Sequence, residues 1–293
     1  MKAARSNVAA QAGVALRIAS SRESVGAGVL VMRALPTPRL EAVGPFVFLD
    51  HFGPAIPPPG GVPPHPHAGI EVISYLLSGE NRHYDSLGNA TIVGAGGAQW
   101  IASGRGMQHA EMMRGGADGL MHSVQLWARQ PEALDDAPPS YGFSTGEAAP
   151  RVEKAGAVLR LLSGDWPGVV AGSGPIRLHS PALLAHLTLA PGAEVELPLD
   201  PAFEMGIFVL AGSALIGGER VARDELALLH PGADATLANA GDEPLEALLL
   251  GGAPAVRPLL FRGPFVFGSN ARIEQAYADF RAGRMGRVEG APF

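Results

Sequence analysis

Two short pairs of side chains in this sequence could hold a metal ion: His65-Pro-His67 and, further along, His109-Ala-Glu111. In a β-strand successive side chains alternate faces, so each pair presents both its members on one side of a sheet. A single ion seated between two such strands would take two ligands from each. The histidines are also unevenly placed, with six of the nine between His51 and His122 and only His179, His186 and His230 elsewhere. A lone histidine is ordinarily a surface or core residue. Two on one face, followed by a third beside a carboxylate, read better as ligands. Three neutral imidazoles and one carboxylate suit a divalent first-row metal (iron, manganese, nickel, copper or zinc) and are too rich in nitrogen for magnesium or calcium. Four protein ligands in an octahedron leave two positions for substrate, water or dioxygen, whereas zinc would more readily close the site as a tetrahedron. Strand parity alone admits Glu71 as the acidic ligand as readily as Glu111.

The elements that must position these residues are strands. With 39 Gly and 26 Pro in 293 residues, turns are frequent and long helices have little room. Pro57–Pro59, Gly60, Gly61, Pro63 and Pro64 make a rigid approach to the histidine pair. Ile70–Leu77 is an apolar, β-branched run ending in turn residues, and Asp85–Asn89 is a second turn before Ala90–Val93. Gln99–Ala102 starts another strand, broken at Gly104-Arg-Gly106. This spacing is the rhythm of a sandwich or barrel. Residues 1–12 read as a flexible leader, and Arg129–Pro150 reads as the crossover to a second half. Near the C-terminus Ser269-Asn270 can cap a helix carrying Ile273, Tyr277 and Phe280 on one face and ending at Gly283.

The second half echoes the first. Glu71-VISYLLS-Gly79 and Glu204-MGIFVLA-Gly212 share length, terminal residues and an apolar strand between them. A looser echo joins Gly44-Pro-Phe-Val-Phe48 to Gly263-Pro-Phe-Val-Phe267. Together they suggest duplication. In the register of the first echo, Pro198 and Asp200 stand where His65 and His67 stand, so the second half lacks the histidine pair.

Composition narrows the function. A net charge of −6 provides no basic field for nucleic acid, so direct binding of DNA or RNA is not expected. There are no cysteines, which removes disulfides, thiolate metal sites and a cysteine nucleophile. The N-terminus lacks an unbroken apolar stretch of secretory length, and no run approaches the ~20 apolar residues of a membrane helix, so a cytoplasmic protein is expected.

His65, His67, Glu71 and Gly79, followed by Gly106 and His109, resemble the two cupin motifs. More specifically, HPHAGIEVISYLLSGE, HYDSLGN, GGAQWIASGRGMQHAEM, SVQLW, the late GPFVF and RIEQAYADFRAGRMG resemble the pirin family over nearly the whole chain. That resemblance implies an all-β fold of two cupin (double-stranded β-helix, jelly-roll) domains with a short C-terminal helix. Residues 1–140 would form the metal-binding N-terminal cupin, and residues 151–293 a C-terminal cupin without ligands, ending in the helix. It implies one iron ion, as Fe(II), held by His65, His67, His109 and Glu111, with Glu71 left as a buried partner. Gly104, where a generic cupin carries proline, is itself pirin-like.

Other residues carry weaker expectations. His51 is expected either to support a ligand or to stabilise its turn, His83 to be exposed, and His122 to line the pocket or the barrel wall. Trp100 and Trp127 are expected to fill the barrel. Arg105 would orient an anionic substrate or be solvated.

By resemblance the activity is that of a quercetin 2,3-dioxygenase, with a small aromatic substrate, dioxygen and Glu111 as the catalytic proton acceptor. A second reading is a non-catalytic regulator that binds a transcription factor or metabolic enzyme according to the oxidation state of the metal. Sugar-phosphate isomerisation would need a cluster of basic residues, and only Arg82, Arg105 and Arg114 lie near the ligands in sequence. A monomer with no membrane partner is expected.

Overall fold

The computed structural model describes residues 13–293 apart from Ala27 and Ala233, so the leader read at residues 1–12 lies outside the described residues. Two pairs of antiparallel sheets account for nearly all of it. In the first pair a seven-stranded sheet runs in the order Ser140–Ser144, Ala98–Ala102, Ile70–Ser78, Met121–Arg129, Phe46–Ala55, Val29–Leu35 and Ser21–Val25. Its four-stranded companion runs Val62–His67, Met107–Arg114, Glu80–Asp85 and Ala90–Gly94. The second pair repeats the plan, with Glu204–Ala211, Leu245–Gly252 and Ala182–Leu189 at the centre of its seven-stranded sheet and Glu194–Leu197, Ala235–Asn239, Ser213–Ile216 and Glu219–Ala222 as the smaller one.

The two seven-stranded sheets pack on each other. Phe46, Leu49, Ile73, Tyr75, Val124 and Leu126 of the first share one core with Leu184, Phe208, Leu226, Leu248 and Leu250 of the second. A central strand is therefore covered on both faces, which is why Ile70–Leu77 reads as a continuous apolar run rather than an alternating one. Alternation persists within it: Ile73 and Tyr75 face the seam, while Val72 and Leu76 join interior clusters of the first sheet pair. The echoed strand keeps the same parity, with Phe208 in the seam and Ile207 and Val209 inside. Ile207 thus stands where the first half has Ser74, and duplication is visible at the level of facing.

The other echo does not survive. Phe46–Ala55 is an interior strand of a seven-stranded sheet, whereas Phe265–Phe267 pairs with Leu260–Arg262 in a small hairpin and touches the first pair of sheets through an isolated bridge to Ala68. The matched pentapeptides have different structural roles.

Both ends of the described chain pack on the half opposite to their own. Val14–Ala19 pairs with Glu225–Leu229 in the second pair of sheets. The C-terminal hairpin and the helix Asn270–Arg281 pack on the first pair, where Phe265, Phe267, Ile273, Ala276 and Met285 surround Ala68. Gly69 permits this, since at φ 79° it lacks a Cβ that would meet the Phe267 ring at 2.8 Å. The helix is capped at Ser269 as its sequence predicts, and its buried residues are Ile273 and Ala276, with Phe280 at the solvent edge. Nor is Arg129–Pro150 a plain crossover, because Ser140–Ser144 extends the first sheet against Ala98–Ala102. Among the described residues no helix is long and apolar enough to cross a membrane.

Polar clasps tie the two halves. Glu71 is fully buried and receives the backbone N–H of His179 on both oxygens at 3.2 Å, and His179 Nδ1 at 2.8 Å. Its echo Glu204 receives the N–H of Gly44 from the first half at 3.1 Å. The two glutamates that open the echoed strands are therefore reciprocal anchors. Deeper in the seam, Tyr75 Oη donates to His186 Nδ1 at 2.9 Å, and burial holds the phenol up at about 12. Replacing Tyr75 by Phe strands a buried imidazole nitrogen, and we expect a loss of about 1–3 kcal/mol in denaturant unfolding with no change in metal content.

Candidate metal centre

The first pair of sheets encloses an interior unlike that of the second. In the second pair one continuous apolar cluster fills the space, built from residues such as Leu159, Leu187, Ile207, Ile216, Leu237 and Leu249. In the first, the apolar residues form two separate clusters, one around Phe48, Val72, Ile101 and Trp127 and the other around Val29, Phe52, Leu76 and Met121. Buried polar side chains, Ser74, Asn81, His83, Gln99, His109 and Glu111, belong to neither. Burying so many polar groups is unfavourable unless each finds a partner, so such a concentration marks a working site.

The two strands carrying the sequence pairs are antiparallel neighbours: His109 lies opposite His65, Met107 opposite His67, and Glu111 opposite Val62 across a bulge. His65, His67 and His109 converge, each offering a ring nitrogen within 4.8 Å of the others. His65 Nε2 and His109 Nε2 are 2.9 Å apart. The tautomers are set from behind. His67 Nδ1 donates to the carbonyl of Pro264 at 3.3 Å and His65 Nδ1 to that of Pro63 at 2.9 Å, which leaves both Nε2 atoms as bare acceptors. His67 Nε2 is buried with no hydrogen-bond partner. An orphaned, buried imidazole lone pair aimed at two other imidazoles fits a divalent metal, and little else would satisfy it. Burial, reinforced by the neighbouring imidazoles, holds His67 and His109 well below the usual histidine range, so both stay neutral and able to ligate.

Glu111 is buried next to this cluster but is not one of the three residues whose ligand atoms converge. Its Oε1 accepts from Ser74 Oγ at 2.9 Å, Asn81 Nδ2 at 2.7 Å and Gln99 Nε2 at 2.7 Å; its Oε2 accepts only from Gln125 Nε2 at 3.2 Å. One oxygen is saturated and the other keeps lone-pair capacity. Glu71 has no such role, being spent on His179.

Several expectations need correction. His83 is buried rather than exposed: its Nε2 donates to Asp85 Oδ2 at 3.0 Å and its ring stacks on Tyr141 at 4.2 Å. The turn-rich segment around it suggested a surface, but Asn81, His83 and Asp85 alternate inward along one strand. His51 supports neither a ligand nor its own turn; it donates through Nδ1 to Asp224 of the second half at 2.6 Å and meets His122 Nε2 at 2.7 Å. His122 therefore lies in the seam, not in the pocket. Trp127 packs in the barrel against Phe48 at 4.1 Å, whereas Trp100 is a partly buried flank of the seam core. Arg105 is exposed. Sequence reasoning missed the four donors to Glu111 and Pro264, although the inward polar alternation from Asn81 to Asp85 was a usable signal.

Two jelly rolls face to face, one with a polar, histidine-bearing interior and one with an apolar core, define a bicupin whose first half carries the histidine cluster. Family comparison agrees: the Pirin model matches residues 28–128 and the Pirin C-terminal cupin domain model residues 184–286. The chain belongs to the pirin family. It is 31% identical to human pirin over 278 residues, covering 93% of each chain. It is 35% identical over 282 residues to a Pseudomonas aeruginosa protein provisionally named as a quercetin 2,3-dioxygenase, covering 94% of this chain and 87% of that one. Among solved structures, quercetin 2,3-dioxygenase from Acinetobacter baumannii superposes with a TM-score of 0.85 at 26% identity, covering 95% of this chain and 92% of that one. The histidine cluster and these relatives together imply a divalent metal.

Proposed function

We propose that this protein is a metal-dependent dioxygenase of flavonol-type substrates, with His65, His67, His109 and Glu111 holding one divalent metal, Fe(II) first among the candidates. The observation that carries the reading is the convergence of His65, His67 and His109 close to buried Glu111, which also lines a small cavity of about 70 Å³ together with Val25, Val29, Val31, Phe52, Val62 and Met121. An apolar wall beside a carboxylate suits the hydroxyl-bearing edge of an aromatic ring, and a whole flavonol, which needs about 300 Å³ or more, requires these walls to part. The names of the Pseudomonas and Acinetobacter relatives support the same substrate class.

The bound metal would supply Lewis-acid polarisation of the substrate hydroxyl and activation of dioxygen. The remaining work falls to the protein. Glu111 accepts the hydroxyl proton on Oε2, the oxygen with spare capacity, while Ser74, Asn81 and Gln99 hold Oε1 and fix the plane of the carboxylate. Asp50 lines the same cavity but is committed to Arg33 through two hydrogen bonds of 2.8 and 2.6 Å, so it does not compete as a base. The apolar wall excludes water from the reacting edge.

In the Glu111→Gln variant the histidines remain to hold metal, and we expect flavonol-dependent oxygen uptake to fall by at least ~100-fold. Full activity with metal bound would exclude Glu111 as the base. A second reading, redox-dependent binding of a protein partner, is favoured by the loop that leads to the site. Gly61, at φ 57°, abuts the backbone of Glu111, and Ile56 on the same loop is 78% exposed. A change of charge at the metal would reach that surface. Absence of oxygen uptake by the metal-loaded parent with any flavonol would transfer the proposal to this second reading.

A further inference from the structure

We propose that His83 is the positioning residue for His109, accepting a hydrogen bond from His109 Nδ1 while being fixed from behind by Asp85. The inference rests on His109 binding metal through Nε2, and it assigns to this site a residue outside the ligand set.

Register brings the groups together. Across the pairing of Glu80–Asp85 with Met107–Arg114, Asp85 lies opposite His109 and His83 opposite Glu111, so His83 and His109 are diagonal neighbours on the inner face. Their rings are 5.5 Å apart between centroids. His83 Nδ1 and His109 Nδ1 are both buried and both without a hydrogen-bond partner.

Each nitrogen has a definite role. Asp85 Oδ1 accepts the N–H groups of Leu87 and Asn89, and its Oδ2 accepts Asn89 Nδ2 at 2.8 Å and His83 Nε2 at 3.0 Å. Burial would raise this carboxyl, but the bonds from His83 and Asn89 outweigh it and hold Asp85 below its usual range, as an acceptor only. The proton on His83 therefore sits on Nε2, and the neutral ring offers Nδ1 as a lone pair. With a metal on Nε2, the nitrogen that His109 turns toward His65 Nε2, the His109 proton sits on Nδ1. One orphan is an acceptor and its neighbour a donor. Leaving both unpaired costs about 1–3 kcal/mol each, so a small ring rotation or one bridging water that joins them is favoured. Stacking on Tyr141, whose hydroxyl meets Thr91 Oγ1, clamps the His83 ring in place. The result is a carboxylate–imidazole–imidazole chain that fixes the orientation of His109 and raises its basicity toward a metal.

The test uses Co(II) as the probe with the full-length chain. His83→Phe keeps the aromatic stack on Tyr141 and removes the acceptor; His83→Gln supplies a carbonyl acceptor in its place. Competition with a chelator should show Co(II) bound about 10–100-fold more weakly by His83→Phe, and His83→Gln should recover most of the loss. In the Co(II)-loaded parent the His109 Nδ1 proton should give a paramagnetically shifted resonance protected from exchange, shifted or lost in His83→Phe. Co(II) binding by His83→Phe within about twofold of the parent, or a His83→Gln protein as weak as His83→Phe, overturns the assignment. If the parent takes up no Co(II), or His67→Ala takes it up as well as the parent, the metal centre itself is refuted instead.

Discussion

The His67→Ala protein is expected to be folded and to lose its metal. His67 is almost fully buried, its Nδ1 is spent on the Pro264 carbonyl, and its Nε2 has no hydrogen-bond partner and lies within ligand distance of His65 and His109. Outer-shell partners typically contribute 10–100-fold to metal affinity, so deleting a direct ligand should cost more than ~100-fold. Metal content after desalting should fall from about one equivalent to none. Stability gives an independent reading, because an ion that binds only the native state adds about 4 kcal/mol at ~1,000 times its Kd. Metal should therefore raise the melting temperature of the parent and leave that of His67→Ala unmoved. A variant that still copurified with a full equivalent would remove His67 from the ligand set. The equivalent change in the second half, Asp200→Ala, should affect neither quantity, since Asp200 is an exposed loop residue after Glu194–Leu197.

Mild acid is expected to destabilise the protein through the seam. His122, buried, and His186, partly buried, lie where the two large sheets meet, and desolvation, more than any neighbouring charge, lowers them to about 3 and about 4. His122 is further lowered by His51, Arg223 and His186, with Asp224 opposing. An unfolded histidine takes up its proton near pH 6.5. Between that pH and about 4 the unfolded chain thus binds roughly two more protons at these positions than the native one. Native stability should fall by about 2.7 kcal/mol for each pH unit of acidification in that window. Asp50, Glu71, Asp135 and Glu246, all raised by burial, oppose the loss toward its lower end. The decisive measurement is the slope of unfolding free energy against pH in the parent and in His122→Gln, which keeps a donor for His51 but cannot titrate. The slope should drop by about 1.4 kcal/mol per pH unit. Equal slopes would show that His122 is not held neutral by the fold.

How much of this was legible in the chain depends on the range of the interaction. The alternation in His65-Pro-His67 and His109-Ala-Glu111 is local, and strand geometry converts it directly into a shared face. The helix from Asn270 was readable for the same reason, from a capping serine and a short-range period. His83 was misplaced because polar residues beside a turn ordinarily face water, and only the closed barrel makes inward polarity affordable. The bond from His51 to Asp224 joins residues 173 positions apart. No local pattern encodes such a pair. The same holds for Pro264, which fixes the tautomer of a histidine from the far end of the chain.

The sequence by itself determined the candidate ligand types, their pairing on two strands and the absence of the histidine pair from the second half, because these follow from residue identity and a two-residue period. The tertiary structure decided which glutamate belongs beside the metal cluster. Parity read from the sequence admits both, but on its strand Glu71 shares the seam-facing side of Ile73 and Tyr75, where the packing of one cupin on the other commits it to His179, whereas Glu111 faces the interior with an oxygen to spare.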